Sequence, residues 1–115
     1  MTKTITRDQL RERLDVGLPT ALVEALPARY YDQGHLPGAV NIPHDQVEQL
    51  APGAFPDKDG FIVVYCASTE CRNSEIATKA LEQLGYRQVF EYVEGKKDWL
   101  AAGLPVDKTP LAKAS

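Results

Sequence analysis

Short apolar runs alternate with amphipathic segments along the chain. Four runs have the length and the β-branched or aromatic content typical of strands, and they lie at residues 20–24, 40–42, 61–65 and 88–93. A weaker edge strand is predicted at Thr4-Ile5. This alternation predicts an α/β fold with a mostly parallel central sheet and helices on both faces.

The segments between these runs carry helix signals. Thr6 and Gln9 have the spacing of a capping box, which predicts a surface helix through Leu14. Ser74 is expected to cap a helix whose apolar residues keep helical spacing until Gly85. Shorter helices are predicted at residues 28–33, 44–50 and 97–102, with a surface turn at Pro52-Gly53.

Residues 61–65, with the sequence Phe-Ile-Val-Val-Tyr, form the strongest predicted strand. The run is apolar at every position, without the alternation of a sheet that has one wet face. We therefore expect this strand in the centre of the sheet, covered on both faces.

Size and charge narrow the class of protein. The chain has 115 residues, 43% of them hydrophobic, a formal net charge of -3 and a pI near 5.3. We expect one domain over residues 1–106, a loosely ordered tail over 107–115, and a monomer. The acidic balance argues against nucleic-acid or membrane partners, and the N-terminal residues lack the apolar core of a signal peptide.

Cysteine and histidine usage argues against a metal or disulfide framework. The chain has two cysteines, and its two histidines are near neither of them in the sequence. We expect a cytoplasmic protein with two thiols, no metal and no cofactor.

Cys66 is the main candidate for chemistry. It directly follows the strongest strand, where an α/β sheet places its ligands, and a helix is expected to begin at Ser74. Loop amides and the helix dipole would favour an anion there, and Arg72 would add to this field. We expect the pKa of the Cys66 thiol to be lowered. The alternative is that Cys66 is only a small apolar residue at the end of a buried strand.

Several motifs resemble those of rhodanese-like domains, in the order that this family shows them. They span Leu22 to Val106 and comprise Gly-His-Leu-Pro-Gly-Ala-Val-Asn-Ile-Pro at 34–43, Val-Val-Tyr-Cys at 63–66, the helix end at 81–86, Gly95, Trp99 and Gly-Leu-Pro-Val at 103–106. The resemblance implies a rhodanese-like fold and a persulfide on Cys66 held by loop amides. It also implies transfer of sulfane sulfur from a small donor such as thiosulfate, or from a protein persulfide, to a thiol or cyanide-like acceptor.

The chain departs from the family's pattern at three places. The active-site loop is longer than usual, and it comprises Cys66, Ala67, Ser68, Thr69, Glu70, Cys71, Arg72, Asn73 and Ser74. The family's Asp-Val-Arg is replaced by Glu24-Ala25-Leu26, so any ion pair of that motif is expected to be lost. Lys96 replaces a usual glycine, and we hypothesise that it attracts anionic donors, although two adjacent lysines are commonly a solvated surface.

Three other functions stay open at this point. Cys71 could resolve a persulfide on Cys66, or it could be a loop thiol without a partner. The spacing Cys66-x5-Arg72 suits phosphatase or arsenate-reductase chemistry, although Tyr65 precedes the cysteine and Glu70 would repel phosphate. The third open function is that of a binding module without catalytic activity. His35 is expected to be structural and bonded to backbone, His44 to lie at a helix start, and Trp99 to pack in the core.

Overall fold

A computed structural model describes residues 3–108 as alternating strands and helices. The strands are β1 (Lys3–Thr4), β2 (Ala21–Glu24), β3 (Val40–Asn41), β4 (Phe61–Tyr65) and β5 (Gln88–Tyr92). The helices are α1 (Arg7–Asp15), α2 (Ala28–Gln33), α3 (Val47–Ala54), α4 (Asn73–Gln83) and α5 (Gly95–Ala101). No helix among these residues is long and apolar enough to cross a membrane.

The strands form one sheet in the order β1-β5-β4-β2-β3, and all four pairings are parallel. The predicted α/β fold is confirmed, and β4 lies at the centre. Side chains of β4 alternate between two cores: Ile62 and Val64 pack with α3 and α4, whereas Val63 and Tyr65 pack with α1 and α5. Burial on both faces explains why the run shows no polar alternation.

Helix boundaries agree with the sequence at some ends and differ at others. Thr6 and Gln9 form the predicted capping box of α1. The helix predicted at 44–50 begins instead at Val47 and continues through Pro52 to Ala54, so the turn predicted at Pro52-Gly53 is wrong. Pro52 disfavours the helix because it lacks an N–H donor and crowds the preceding turn, but the buried residues Val47 and Ala51 anchor the helix on the sheet.

Ser74 does not cap α4. The helix begins at Asn73, so the N-cap position lies two residues earlier than expected, at Arg72, whose side chain makes no capping hydrogen bond. The Ser74 hydroxyl instead donates to Glu91 on β5, at 2.6 Å. A tertiary partner thus replaces the local one that the sequence pattern suggested.

The C-terminal boundary also differs from the expectation. Asp107, which the sequence assigns to the tail, pairs with His35 through two backbone hydrogen bonds of 2.8 and 2.9 Å. Its side chain also accepts from the Gly38 amide. The chain is therefore held at least to this residue, and residues 109–115 of the expected tail lie outside the described residues.

Gly95, the first residue of α5, allows the first turn of this helix to lie against the loop after β4. It has a φ of +70°, and a Cβ at this position would be 2.5 Å from the Cys66 carbonyl oxygen. The carbonyls of Cys66 and Ala67 accept hydrogen bonds from the amides of Lys96 and Lys97, at 2.9 and 2.8 Å. The backbone of the turn thus fixes the start of the Cys66 loop.

We expect Gly95→Ala to lower the free energy of unfolding by about 3 kcal/mol, because the left-handed backbone and the carbonyl contact both exclude a Cβ. Urea unfolding measures the change. Gly53→Ala is the control: nothing lies within 4 Å of its new Cβ, so the change should be neutral or slightly stabilising. Equal stability of the Gly95→Ala and wild-type proteins would contradict this account.

Candidate active site

The candidate site lies at the carboxyl end of the sheet. The parallel register aligns Glu24 with Tyr65 on one side of β4 and Tyr65 with Tyr92 on the other. Cys66 follows immediately and is only 1% exposed. Because parallel strands end at one edge, this cysteine lies where an α/β sheet presents its reactive groups.

The structure pairs Cys66 and Cys71 as a disulfide. Their Cα atoms are 6.4 Å apart, within the range that a disulfide can bridge. A turn in which the Cys71 amide donates to the Ser68 carbonyl, at 3.1 Å, bends the loop back on itself. The longer loop therefore brings its second cysteine to the first.

The loop keeps several backbone donors free. Within residues 3–108, no protein acceptor pairs with the amides of Ala67, Ser68 or Thr69. The loop leads directly into the first turn of α4, so the positive end of that helix dipole lies at the loop. The N-cap side chain makes no capping hydrogen bond there. These groups can bind a small anion, although none of the described amides donates to the Cys66 sulfur in the disulfide form.

Buried Glu24 is the centre of a hydrogen-bonded network that the sequence did not reveal. It is 0% exposed, accepts from the Tyr65 hydroxyl at 2.8 Å, and forms an ion pair with Lys96 at 2.9 Å. The expectation that an ion pair is lost at this position is wrong, because Lys96 supplies the cation that the motif lacks. Burial, and then the nearby Glu24 charge, raise the pKa of Tyr65, so this hydroxyl remains a donor.

Lys96 thus has a structural partner. Its amine also donates to the Tyr30 carbonyl, and its side chain is 13% exposed. Neutralisation by Glu24 reduces the field that Lys96 offers to an anionic donor, so attraction by Lys96 stays a prediction. The neighbouring Lys97 is exposed, and its amine makes no ion pair or hydrogen bond within the described part of the chain.

The positions of Arg72 and Glu70 test whether the loop suits phosphatase or arsenate-reductase chemistry on an oxyanion. The guanidinium of Arg72 pairs with Glu75 at 3.2 Å, and its side chain is 78% exposed. Glu70 is exposed within the loop. An oxyanion site would need Arg72 to leave Glu75 and turn inward, so the arrangement gives this alternative no direct support.

A cavity of about 350 Å³ opens beside the start of the loop, at Ala67. Its walls combine apolar and cationic side chains, among them Leu26, Tyr30, Leu100, Lys96 and Lys97. Such a cavity can accept a small sulfur compound with an anionic group.

The remaining residues singled out from the sequence have structural surroundings. His35 Nδ1 lies 3.0 Å from the Tyr31 carbonyl, which confirms its contact with backbone. Trp99 packs in the core, as expected, and its ring N–H donates to the Pro105 carbonyl. His44 lies in the turn before α3 and not in the helix. Among residues 3–108, no cluster of His, Cys, Asp or Glu could hold a metal ion.

Fold and site together define a parallel α/β domain with a buried cysteine at the start of a loop whose first amides have no protein acceptor among residues 3–108. The rhodanese-like domain family matches residues 6–102, and the chain belongs to this family. Human single-domain sulfurtransferase TSTD1 superposes with a TM-score of 0.75 at 26% identity, over 88% of this chain and 97% of that protein.

Two curated relatives extend this assignment. The chain is 36% identical over 104 residues to the HTH-type transcriptional regulator Rv0324 of Mycobacterium tuberculosis, covering 90% of this chain and 44% of the relative. It is 40% identical over 68 residues to the thiosulfate sulfurtransferase PspE of Escherichia coli, covering 59% of this chain and 62% of the relative. The chain spans about half the length of the curated relatives it matches. The family match, together with the similarity to PspE and to TSTD1, supports a sulfur-transfer family.

We expect Lys96→Met to destabilise the protein by about 2 kcal/mol, because it leaves the buried Glu24 carboxylate without its cation. Urea unfolding measures this loss. The double variant Glu24→Gln/Lys96→Met should lose less stability than the single variant, because it buries no uncompensated charge. Equal losses in the two variants would contradict the ion-pair role.

Proposed function

We propose that this domain is a sulfurtransferase that carries sulfane sulfur as a persulfide on Cys66. The Cys66 thiolate attacks the outer sulfur of a donor such as thiosulfate, which gives the persulfide anion and sulfite. Attack on that persulfide by cyanide or a thiolate regenerates Cys66 and gives thiocyanate or an organic persulfide. The main support is the position of Cys66, at the end of the central strand beside unpaired loop amides.

The cavity beside Ala67 supports a small anionic donor or a thiol as partner. Its apolar wall would pack against an organic group, and the free Lys97 amine would attract a carboxylate or thiosulfate. We further propose a monomer that works in a reducing compartment, the cytoplasm, because a reduced Cys66 is the reactive form. We propose neither nucleic-acid nor membrane partners, because the net charge of -3 would repel both.

Intact mass tests persulfide formation. Reduced protein incubated with thiosulfate should gain one sulfur atom, and cyanide should remove it. Cys66→Ser should gain none, whereas Cys71→Ser should still be loaded because its nucleophile is intact. Absence of the adduct in both wild type and Cys71→Ser would overturn the proposal and shift support to oxyanion chemistry or a binding role.

A second function is favoured by the contact between Cys66 and Cys71. The Cys71 thiolate could attack the inner sulfur of the Cys66 persulfide, which would form the disulfide and release hydrosulfide. The bound sulfur is reduced and the two cysteines are oxidised, so a reducing thiol must then restore the dithiol. The structure has the pairing that would end this step.

Sulfide measurement separates the two functions. If Cys71 resolves the persulfide, loaded wild-type protein should release sulfide without an added acceptor and lose its free thiols in the same proportion. Cys71→Ser should retain the persulfide and release at least about tenfold less sulfide, since only slow exchange between molecules remains. Equal release by the two proteins would assign Cys71 no part in the reaction.

A further inference from the structure

A buried line of polar side chains leads from Cys66 to β5. The Cys66 sulfur lies 3.3 Å from the Ser74 hydroxyl oxygen, which lies 2.6 Å from Glu91 Oε2. The three residues are 1%, 1% and 8% exposed. They come from the end of β4, the first turn of α4 and β5, so only the folded chain brings them together.

The hydroxyl proton of Ser74 is already engaged. An oxygen–oxygen separation of 2.6 Å is that of a hydroxyl donating to a carboxylate. Ser74 has no second proton, so towards Cys66 it offers only a lone pair. That lone pair suits the S–H of a neutral thiol and opposes a thiolate or a persulfide anion.

We propose that Glu91 is a positioning residue that acts through Ser74 to hold the proton on Cys66. For the sulfur to become anionic, either Glu91 must take up a proton or the Ser74 hydroxyl must turn from Glu91 to the sulfur. Both changes remove the charge-assisted bond between Ser74 and Glu91. The pair therefore opposes ionisation of Cys66, whereas the loop amides and the α4 dipole favour it.

Other charged groups near this line are paired, or they lie on the surface. Glu24 and Lys96 form their own ion pair, and Arg72 and Lys79 both contact Glu75. Lys3 on β1 donates to the Arg87 carbonyl, and the carboxylates of Glu70 and Glu94 are exposed. No ion pair involving Glu91 exists among residues 3–108, so Ser74 is its side-chain partner.

The proposal rests on the proposed function only in treating Cys66 as the reacting thiol. Alkylation by iodoacetamide measures the thiolate without any sulfur transfer. A protein that is never loaded with sulfur could therefore still pass this test, and the two proposals fail separately.

The experiment uses reduced protein carrying Cys71→Ser, so that Cys66 is the single thiol. The rate of alkylation is followed by intact mass as a function of pH. Glu91→Gln should move the midpoint of this profile to lower pH by about one unit, which is about a tenfold faster reaction below the midpoint. Glu91→Met, which also removes the charge and frees the Ser74 hydroxyl, should shift the midpoint in the same direction and serves if the first variant does not fold.

Two controls make the test specific. Glu94→Gln removes the same charge from the exposed turn after β5 and should leave the midpoint within a few tenths of a unit. In a Ser74→Ala background, Glu91→Gln should shift the midpoint by less than half as much. An unchanged midpoint in both Glu91 variants overturns the proposal, and an equal shift with and without the Ser74 hydroxyl overturns the route through Ser74.

Discussion

The close approach of two backbone segments at Gly95 is the constraint on which the site depends. The first turn of α5 donates two amides to the carbonyls of Cys66 and Ala67, and only a residue without a Cβ fits at the contact. This contact fixes where the loop leaves β4, and the α4 N-terminus fixes where it ends. The loop must therefore arch between two fixed ends, and this holds its free amides in a defined arrangement.

Two buried carboxylates flank the end of β4 on opposite faces of the sheet. Glu24 aligns with Tyr65, on the face of the α1 and α5 core, whereas Glu91 aligns with Val64, on the face of the α3 and α4 core. Glu24 is neutralised by Lys96 and stabilises the fold. Glu91 has a hydroxyl as its side-chain partner and reaches Cys66 through it. Two residues of the same type thus have different roles, set by the partner that each meets.

Local sequence patterns predict secondary structure correctly where interactions between neighbouring residues determine it. The capping box of α1, the central strand β4 and the helix of α4 follow from spacing over a few residues. The extent of α3 does not follow from local spacing, because burial of Val47 and Ala51 outweighs the turn signal of Pro52 and Gly53. The sequence places Ser74 in the loop and predicts a local capping role, whereas its hydroxyl donates to Glu91, 17 residues away in the chain.

Contiguous residues such as 34–43 and 63–66 predict the fold class and the family, and they place the candidate cysteine directly after the central strand. The charges that surround this cysteine depend on contacts between distant parts of the folded chain. Lys96 lies 72 residues from Glu24, and Glu91 lies beyond α4, so no spacing rule connects them. Parallel strands bring residues that are far apart in the sequence to the same edge of the sheet. The charges at the site are therefore set by which residues meet at that edge.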